Sequence, residues 1–274
     1  MKPPLTLGLG AIMVAMILWF VPSGGAADRV LTDYRVDQWP VNCPPAWQAS
    51  LEDALHRIPK LSIQDAHAED AALRVVDELP WVMPGTVSIT RALPEGLRLA
   101  YVPRRPRAVL VRQGQHLAVL GRLGAVLPDG LQPQIIDSLI HIQAPQDYVV
   151  PAPGSVVAHS FLQSALDAMT VAYKLRNEAN TPIVRIEPRP DYPSSTSNIA
   201  PPVSFVLANG KRIEWGRPQH ALGPFDRSTE KRLARLKVAF ARYPGLEGIR
   251  ALDVSSPAMT AIDMAGRPVK FQLK

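Results

Sequence analysis

The spacing of apolar residues along the chain changes several times, and each change marks a different element. Residues 30–36 alternate as a short strand, and Pro40, Pro44 and Pro45 break it and preset the first turn of a helix. In that helix Trp47, Leu51, Ala54, Leu55 and Ile58 recur on one face, and Pro59 stops it. A second helix over residues 68–79 turns Ala72, Leu73, Val76 and Leu79 inward, with Glu69 and Asp70 in its first turn, where they complement the helix dipole. Its end, Leu79-Pro80-Trp81-Val82, is a corner for which the bulk of Trp81 supplies core. A hairpin follows, with Val87 and Ile89 alternating against Thr86, Ser88 and Thr90, then Leu97, Leu99 and Tyr101 against Arg98 and Ala100, around the turn Leu93-Pro94-Glu95-Gly96.

The rest of the chain is richer in strand signals. Residues 108–111, 117–120 and 125–127 are short apolar runs between Gly and polar turns, as in an antiparallel meander that ends at Pro128-Asp129-Gly130. Leu162, Ala165, Leu166, Met169 and Tyr173 form a helical stripe, and residues 183–186 return to strand. Residues 188–202 are a Pro/Ser-rich loop. Val203, Phe205 and Leu207 lead into Asn209-Gly210, a strong hairpin signal, and Ile213 and Trp215 continue on the return arm. Residues 230–243 form a helix that buries Leu233, Leu236, Phe240 and Tyr243, and a last strand pair occupies residues 249–254 and 259–264, with Pro257 at the bend between them. No repeat at solenoid spacing interrupts this order.

At 274 residues, 47% of them hydrophobic, the chain can bury a core in one large or two modest domains. A net charge of +6 would permit an anionic partner, but the basic clusters at residues 104–107 and 231–237 are not interleaved with the aromatics that stack on bases, which argues against nucleic acid. Cys43 is the one cysteine, so no intramolecular disulfide forms. It abuts Pro44 and Pro45 and reads as a packed small residue. After Lys2, residues 5–21 form an apolar run with Trp19 and Phe20 where an interfacial belt would sit, so residues 1–27 read as a short cytoplasmic N-terminus and a transmembrane anchor. The rival is a cleaved signal peptide, for which Gly25-Ala26-Ala27 offers small residues at the cleavage site. Both readings send the remainder out of the cytoplasm.

The stretch from Leu79-Pro80-Trp81-Val82 through Leu93-Pro94-Glu95-Gly96 to Arg104-Arg105-Pro106-Arg107-Ala108-Val109 resembles the POTRA module of the FtsQ (DivIB) cell-division proteins. The resemblance continues in Trp215-Gly216-Arg217, Arg232-Leu233-Ala234-Arg235-Leu236, Tyr243-Pro244 and Ile249-Arg250-Ala251-Leu252-Asp253-Val254, in the order of that family's second, β domain. It departs from the family in the terminal strand, where Ser255, Ser256, Met259 and Met264 stand in place of its Arg-Tyr, Gly and Trp. The fold it implies is α+β: an N-terminal transmembrane helix, a POTRA domain (β-α-α-β-β) over residues 28–105, and a mixed β domain with flanking helices over residues 106–274. The function it implies is a non-catalytic divisome scaffold of the inner membrane at the septum, joining early cytoplasmic division components to septal wall synthesis by binding FtsB-like and FtsL-like bitopic proteins. Partner-binding residues carried over are Leu233, Leu236, Ala251, Asp253, Ser256, Ala258, Met259, Ala261 and Met264, with Arg104 and Arg105 as a secondary POTRA surface. The mode is strand addition to an exposed terminal strand.

Groups that would converge in an enzyme are not evident. His56, His67, His116, His141, His159 and His220 show no metal-binding spacing, and there is no Gly-x-Ser-x-Gly elbow and no phosphate loop. No cofactor, metal or small-molecule substrate is expected. Arg104, Arg105 and Arg107 around Pro106 read more plainly as charges that guard a sheet edge, and Lys231, Arg232, Arg235 and Lys237 as the wet face of a helix. Two other functions remain open: a POTRA-bearing envelope chaperone or outer-membrane assembly accessory, and an exported envelope enzyme whose acids are not neighbours in sequence.

Overall fold

The structure, a computed structural model, describes residues 33–36, 39, 43–58, 67–92, 96–178, 182–188, 202–223 and 226–270. The apolar run at residues 5–21, the alternative cleavage site at residues 25–27, most of the turn at residues 93–96 and most of the loop at residues 188–202 lie outside these. Among the described residues no helix is long and apolar enough to cross a membrane. The expected N-terminal transmembrane helix is thus not among the described elements, which make a mixed α+β architecture with two sheets. By its internal contacts the chain divides into two units, and the division after Val102 places Arg104 and Arg105 in the second unit.

The first unit holds β1 (Asp33–Val36), α1 (Pro45–His56) from Ala49 onward, α2 (His67–Asp77), β2 (Ser88–Ala92) and β3 (Gly96–Ala100) in chain order, residues 42–48 being assigned to the second unit. The sheet order is β1-β3-β2, with β1 parallel and β2 antiparallel to β3. Parallel neighbours need a long crossover, and α1 and α2 provide it. The core is built from Leu51, Ala54 and Leu55 of α1, Ala68, Ala72 and Val76 of α2, and Leu97 and Leu99 of β3. Trp81 is fully buried at the corner after α2, where its indole N–H donates to Ser50 Oγ at 2.9 Å and its ring meets Tyr101 edge-on. Leu73, expected inside, is exposed, because the buried stripe of α2 runs through the smaller Ala68 and Ala72.

The second unit is organised on ten strands: β4 (Pro106–Arg112), β5 (Gln115–Gly121), β6 (Val126–Leu127), β7 (Ile140–Gln143), β8 (Ile183–Pro188), β9 (Val203–Leu207), β10 (Arg212–Gly216), β11 (Ile249–Asp253), β12 (Thr260–Asp263) and β13 (Pro268–Lys270). They form one sheet in the order β13-β12-β11-β10-β9-β8-β7-β4-β5-β6. Three helices accompany it: α3 (Pro133–Ser138), α4 (Ser160–Glu178) and α5 (Thr229–Arg242). The pairs β4·β7, β7·β8 and β10·β11 are parallel; the last two join strands separated in the chain by a single long helix, and α4 and α5 are their crossovers. Both helices pack on the apolar side of the sheet, where Leu162, Ala165, Met169, Ala172, Leu236 and Ala239 join Leu110, Ile142, Ile186, Phe205, Ile213 and Leu252 in one core.

On other strand positions long polar side chains run across the sheet. Arg185 and Arg212 hold Glu187 at 2.5 and 2.8 Å, and Arg212 reaches Glu214 at 3.4 Å. Further along, the rings of His116 and His141 meet edge-on with centroids 5.6 Å apart.

Candidate functional site

The sequence points to the C-terminal edge, and the structure shows how that edge is made. β11 and β12 pair antiparallel, as do β12 and β13, so β12 is an inner strand of the sheet. The outer strand is β13, which the apolar pattern did not announce, being three residues long and beginning with a proline. A tight turn forces the reversal: Gly266 N–H donates to Asp263 C=O at 3.0 Å and Asp263 N–H to Arg267 C=O at 2.9 Å. The Asp263 carboxylate locks the same turn by accepting from the N–H groups of Ala265 and Arg267 and from the Arg267 guanidinium, and these bonds hold its pKa below the usual carboxylate value.

Beneath the β11–β12 turn lies a group of arginines. Arg235 of α5 donates to the carbonyls of Val254 at 3.1 Å, Ser256 at 2.5 Å and Pro257 at 2.6 Å, and Arg227 also reaches the Pro257 carbonyl at 3.3 Å. From the other side Asp253 accepts from the Ser255 N–H and hydroxyl, both at 2.8 Å, and from the Ser256 N–H at 3.2 Å. The turn is thus held by charged groups at both its donors and its acceptors.

Arg232, one turn before Arg235, is 0% exposed, donates to the Arg217 carbonyl at 2.6 Å and lies over the Trp215 ring at 5.5 Å. Its Nε and Nη2 have no hydrogen-bond partner, and burial lowers its pKa. Gly216, at φ 93°, lets β10 pass this group: a Cβ there would stand 2.6 Å from Ser255 Cβ. Arg232 and Arg235 are therefore not on the wet face of α5. The helix rolls so that Arg232, Leu236 and Ala239 are buried, and Leu233, Phe240 and Tyr243 pack partly buried at the margin.

The sequence-predicted partner residues separate into three groups. Leu236, Met259 and Ala261 are buried core, and Leu233 packs against that core. Ala251 and Asp253 are half-buried on β11, Asp253 being engaged by the serines, and Ser256 is half-buried in the turn, where its hydroxyl donates to the Ala258 carbonyl at 2.5 Å. Ala258 and Met264 are exposed. With Ile262, exposed at 42%, Met264 at 65% forms the apolar surface next to the terminal hairpin. Arg104 is half-buried and Arg105 exposed at the start of β4.

Other chemistry is sparse. Among the described residues no three His, Cys, Asp or Glu side chains converge as a metal site. His141 is partly buried and its Nε2 lacks a hydrogen-bond partner; burial, then His116 and Arg185, lower its pKa. Burial raises that of the Cys43 thiol, which opposes a reactive thiolate.

No family model matches the chain, and no curated protein matches it. Together with the lack of a membrane-spanning helix among the described residues, this overturns the assignment to the FtsQ (DivIB) family and the single-pass inner-membrane location. The FtsB-like and FtsL-like partners, the inner membrane as a partner and the septal location rested on that assignment and are withdrawn with it. The short motifs quoted from the sequence have local causes: Leu-Pro-Trp-Val is a buried corner, and Arg-Leu-Ala-Arg sets Arg235 under the β11–β12 turn and buries Arg232 against Trp215.

Proposed function

We propose that the protein is a non-catalytic scaffold that holds another polypeptide as an added strand on the outer edge of β13. The observation that carries this reading is the terminal hairpin, its turn locked by the Asp263 carboxylate and bordered by the exposed Ile262 and Met264. In an antiparallel pair successive residues direct their backbone groups alternately to the partner and away from it. The turn bond from Asp263 to Arg267 sets that alternation, so Val269 faces Ala261 while Pro268 and Lys270 face outward. Pro268, lacking an N–H, stands where no ladder bond is lost. An incoming strand meets the Lys270 N–H and the carbonyls of Pro268 and Lys270. So short a ladder is weak alone, and the apolar side chains beside it supply the remaining affinity and the selectivity.

Lys270→Pro tests this directly. It removes the outward donor and should weaken partner capture by about 1–3 kcal/mol while leaving the fold intact. In cross-linked co-purification from the native cell, a wild-type partner set retained by a folded Lys270→Pro protein would remove β13 as the dock. A second reading, a chaperone for extended polypeptides, is favoured by β2, a five-residue strand at the end of its sheet that carries no proline. Thr90→Pro would then reduce binding of many unrelated peptides, whereas a scaffold would be indifferent to it.

A further inference from the structure

We propose a second docking site within the second unit, a groove along α4 that receives an acidic peptide segment of another protein with an apolar anchor residue. The groove has a volume of about 650 Å³ between the α4 stripe Leu166, Met169 and Tyr173 and a facing wall of Arg107, Arg122 and Leu123. A smaller hollow of about 260 Å³, lined by Arg105 and Leu139, continues it past Tyr173. The Tyr173 hydroxyl donates to the Arg107 carbonyl, and the Arg107 guanidinium lies over its ring at 5.9 Å, so the ridge between the two hollows is fixed.

Two independent features point to a ligand. The first is charge. Among the described residues none of Arg105, Arg107 and Arg122 forms an ion pair, and the acid in the wall, Asp167, faces His220 at 3.1 Å. Three guanidinium groups thus border an apolar floor without carboxylates of their own, which is complementary to a chain bearing both acidic and apolar side chains. The second is Leu123. It is 76% exposed and sits at φ 61°, a left-handed conformation that a leucine adopts at a cost. The cause is next door: Gly124, at φ 79°, passes so close to α4 that a Cβ would stand 2.6 Å from Leu166 Cδ1 and 2.9 Å from Val157 Cγ2. The chain is pressed onto the helix at Gly124 and holds Leu123 out at the rim. Strain and exposure both oppose a leucine here, and a partner's apolar side chain covering it would offset both.

The probe is a fluorescein-labelled synthetic peptide of repeating Glu-Glu-Leu, with Gln-Gln-Leu and Glu-Glu-Ala repeats and a heparin fragment as comparators. All are titrated against the full chain by fluorescence anisotropy at low ionic strength, where exposed charges are least screened. The Glu-Glu-Leu peptide should bind tightest. Arg107→Glu with Arg122→Glu should weaken it about tenfold or more, and so should Leu123→Gly. Leu123→Gly relieves the left-handed strain, so its unfolding midpoint should equal or exceed that of the wild type. Lys270→Pro should leave this binding unchanged, which separates the site from the β13 edge. The proposal is overturned if the peptide fails to bind, if the glutamine repeat binds as well, or if either groove variant binds normally. Equal binding of the Glu-Glu-Ala repeat or of heparin would overturn it in favour of a general polyanion site. Sedimentation showing self-association that Arg122→Glu abolishes, with peptide binding unaltered, would overturn it in favour of a second copy of the chain.

Discussion

At the scale of single residues, two arginines one helical turn apart have opposite energetic roles. Arg235 satisfies three carbonyls of the β11–β12 turn, so Arg235→Met should cost about 2–4 kcal/mol, the sum expected when several charge-assisted bonds, two of them partly buried, are lost. Arg232 is buried with two unsatisfied donor atoms. Replacing such a group by an apolar side chain of similar length is commonly neutral or stabilising, so Arg232→Met should leave the unfolding midpoint unchanged or raise it. Chemical denaturation of both variants checks the contrast, and a large loss from Arg232→Met would mean that its bond to Arg217 and its stacking on Trp215 outweigh the buried charge. Gly216→Ala should cost about 1–3 kcal/mol, since it combines a positive φ with a side chain pressed into Ser255. None of this was legible in the sequence. Arg-Leu-Ala-Arg reads as the polar face of an amphipathic helix, and only the position of Gly216 and Trp215 shows which side of α5 turns inward.

At the scale of elements, the sequence was most legible where one face of an element is apolar and the other polar. α2 covers His67–Asp77 against an expected helix over residues 68–79, α5 covers Thr229–Arg242 against residues 230–243, and Asn209-Gly210 does turn β9 into β10. Elements that make no periodic pattern were missed: α3, with six residues, and β13, with three. The candidate dock moved accordingly from the strand at residues 259–264 to β13. Pairing partners were equally hidden, because a strand buried on both faces looks the same whatever lies beside it. β4, for example, pairs with β5 and, in parallel, with β7. This packing predicts a pH dependence. Burial, then His116 of β5 and Arg185 of β8, lower the pKa of His141 on β7, against the weaker opposite pull of Asp137 on α3. Its folded pKa lies below the ordinary value of about 6.5, so between those two values the unfolded chain binds the extra proton. Stability should therefore fall as pH drops below about 6.5, and His141→Gln should flatten that part of a plot of unfolding midpoint against pH. An unchanged slope in His141→Gln would show that other groups govern the acid limb.

At the scale of the whole molecule, the ten-stranded sheet has two ends that are treated differently. Beyond β6 the sheet does not stop bare, because residues 154–157 lie along it as a strap. Val126 N–H donates to Ser155 C=O at 2.9 Å, Gly154 N–H to Val126 C=O at 2.8 Å and Val157 N–H to Gly124 C=O at 3.0 Å, with a bridge between Ala125 and Val156. At the other end, among the described residues, no strand lies outside β13, whose shortness and Pro268 limit pairing without abolishing it. An edge covered at one end and only blunted at the other leaves a single direction in which a partner strand can extend the sheet. Val157→Pro should break this asymmetry by deleting a strap bond, and the loosened strap would uncover the backbone groups of β6. The variant should form larger species than the wild type at equal protein concentration in light scattering, through edge-to-edge pairing. Lys270→Pro added to Val157→Pro should reduce that association if the two ends pair with each other. Should Val157→Pro scatter like the wild type while its unfolding midpoint drops, the strap would be a packing element, and the asymmetry of the sheet would have to be explained by β13 alone.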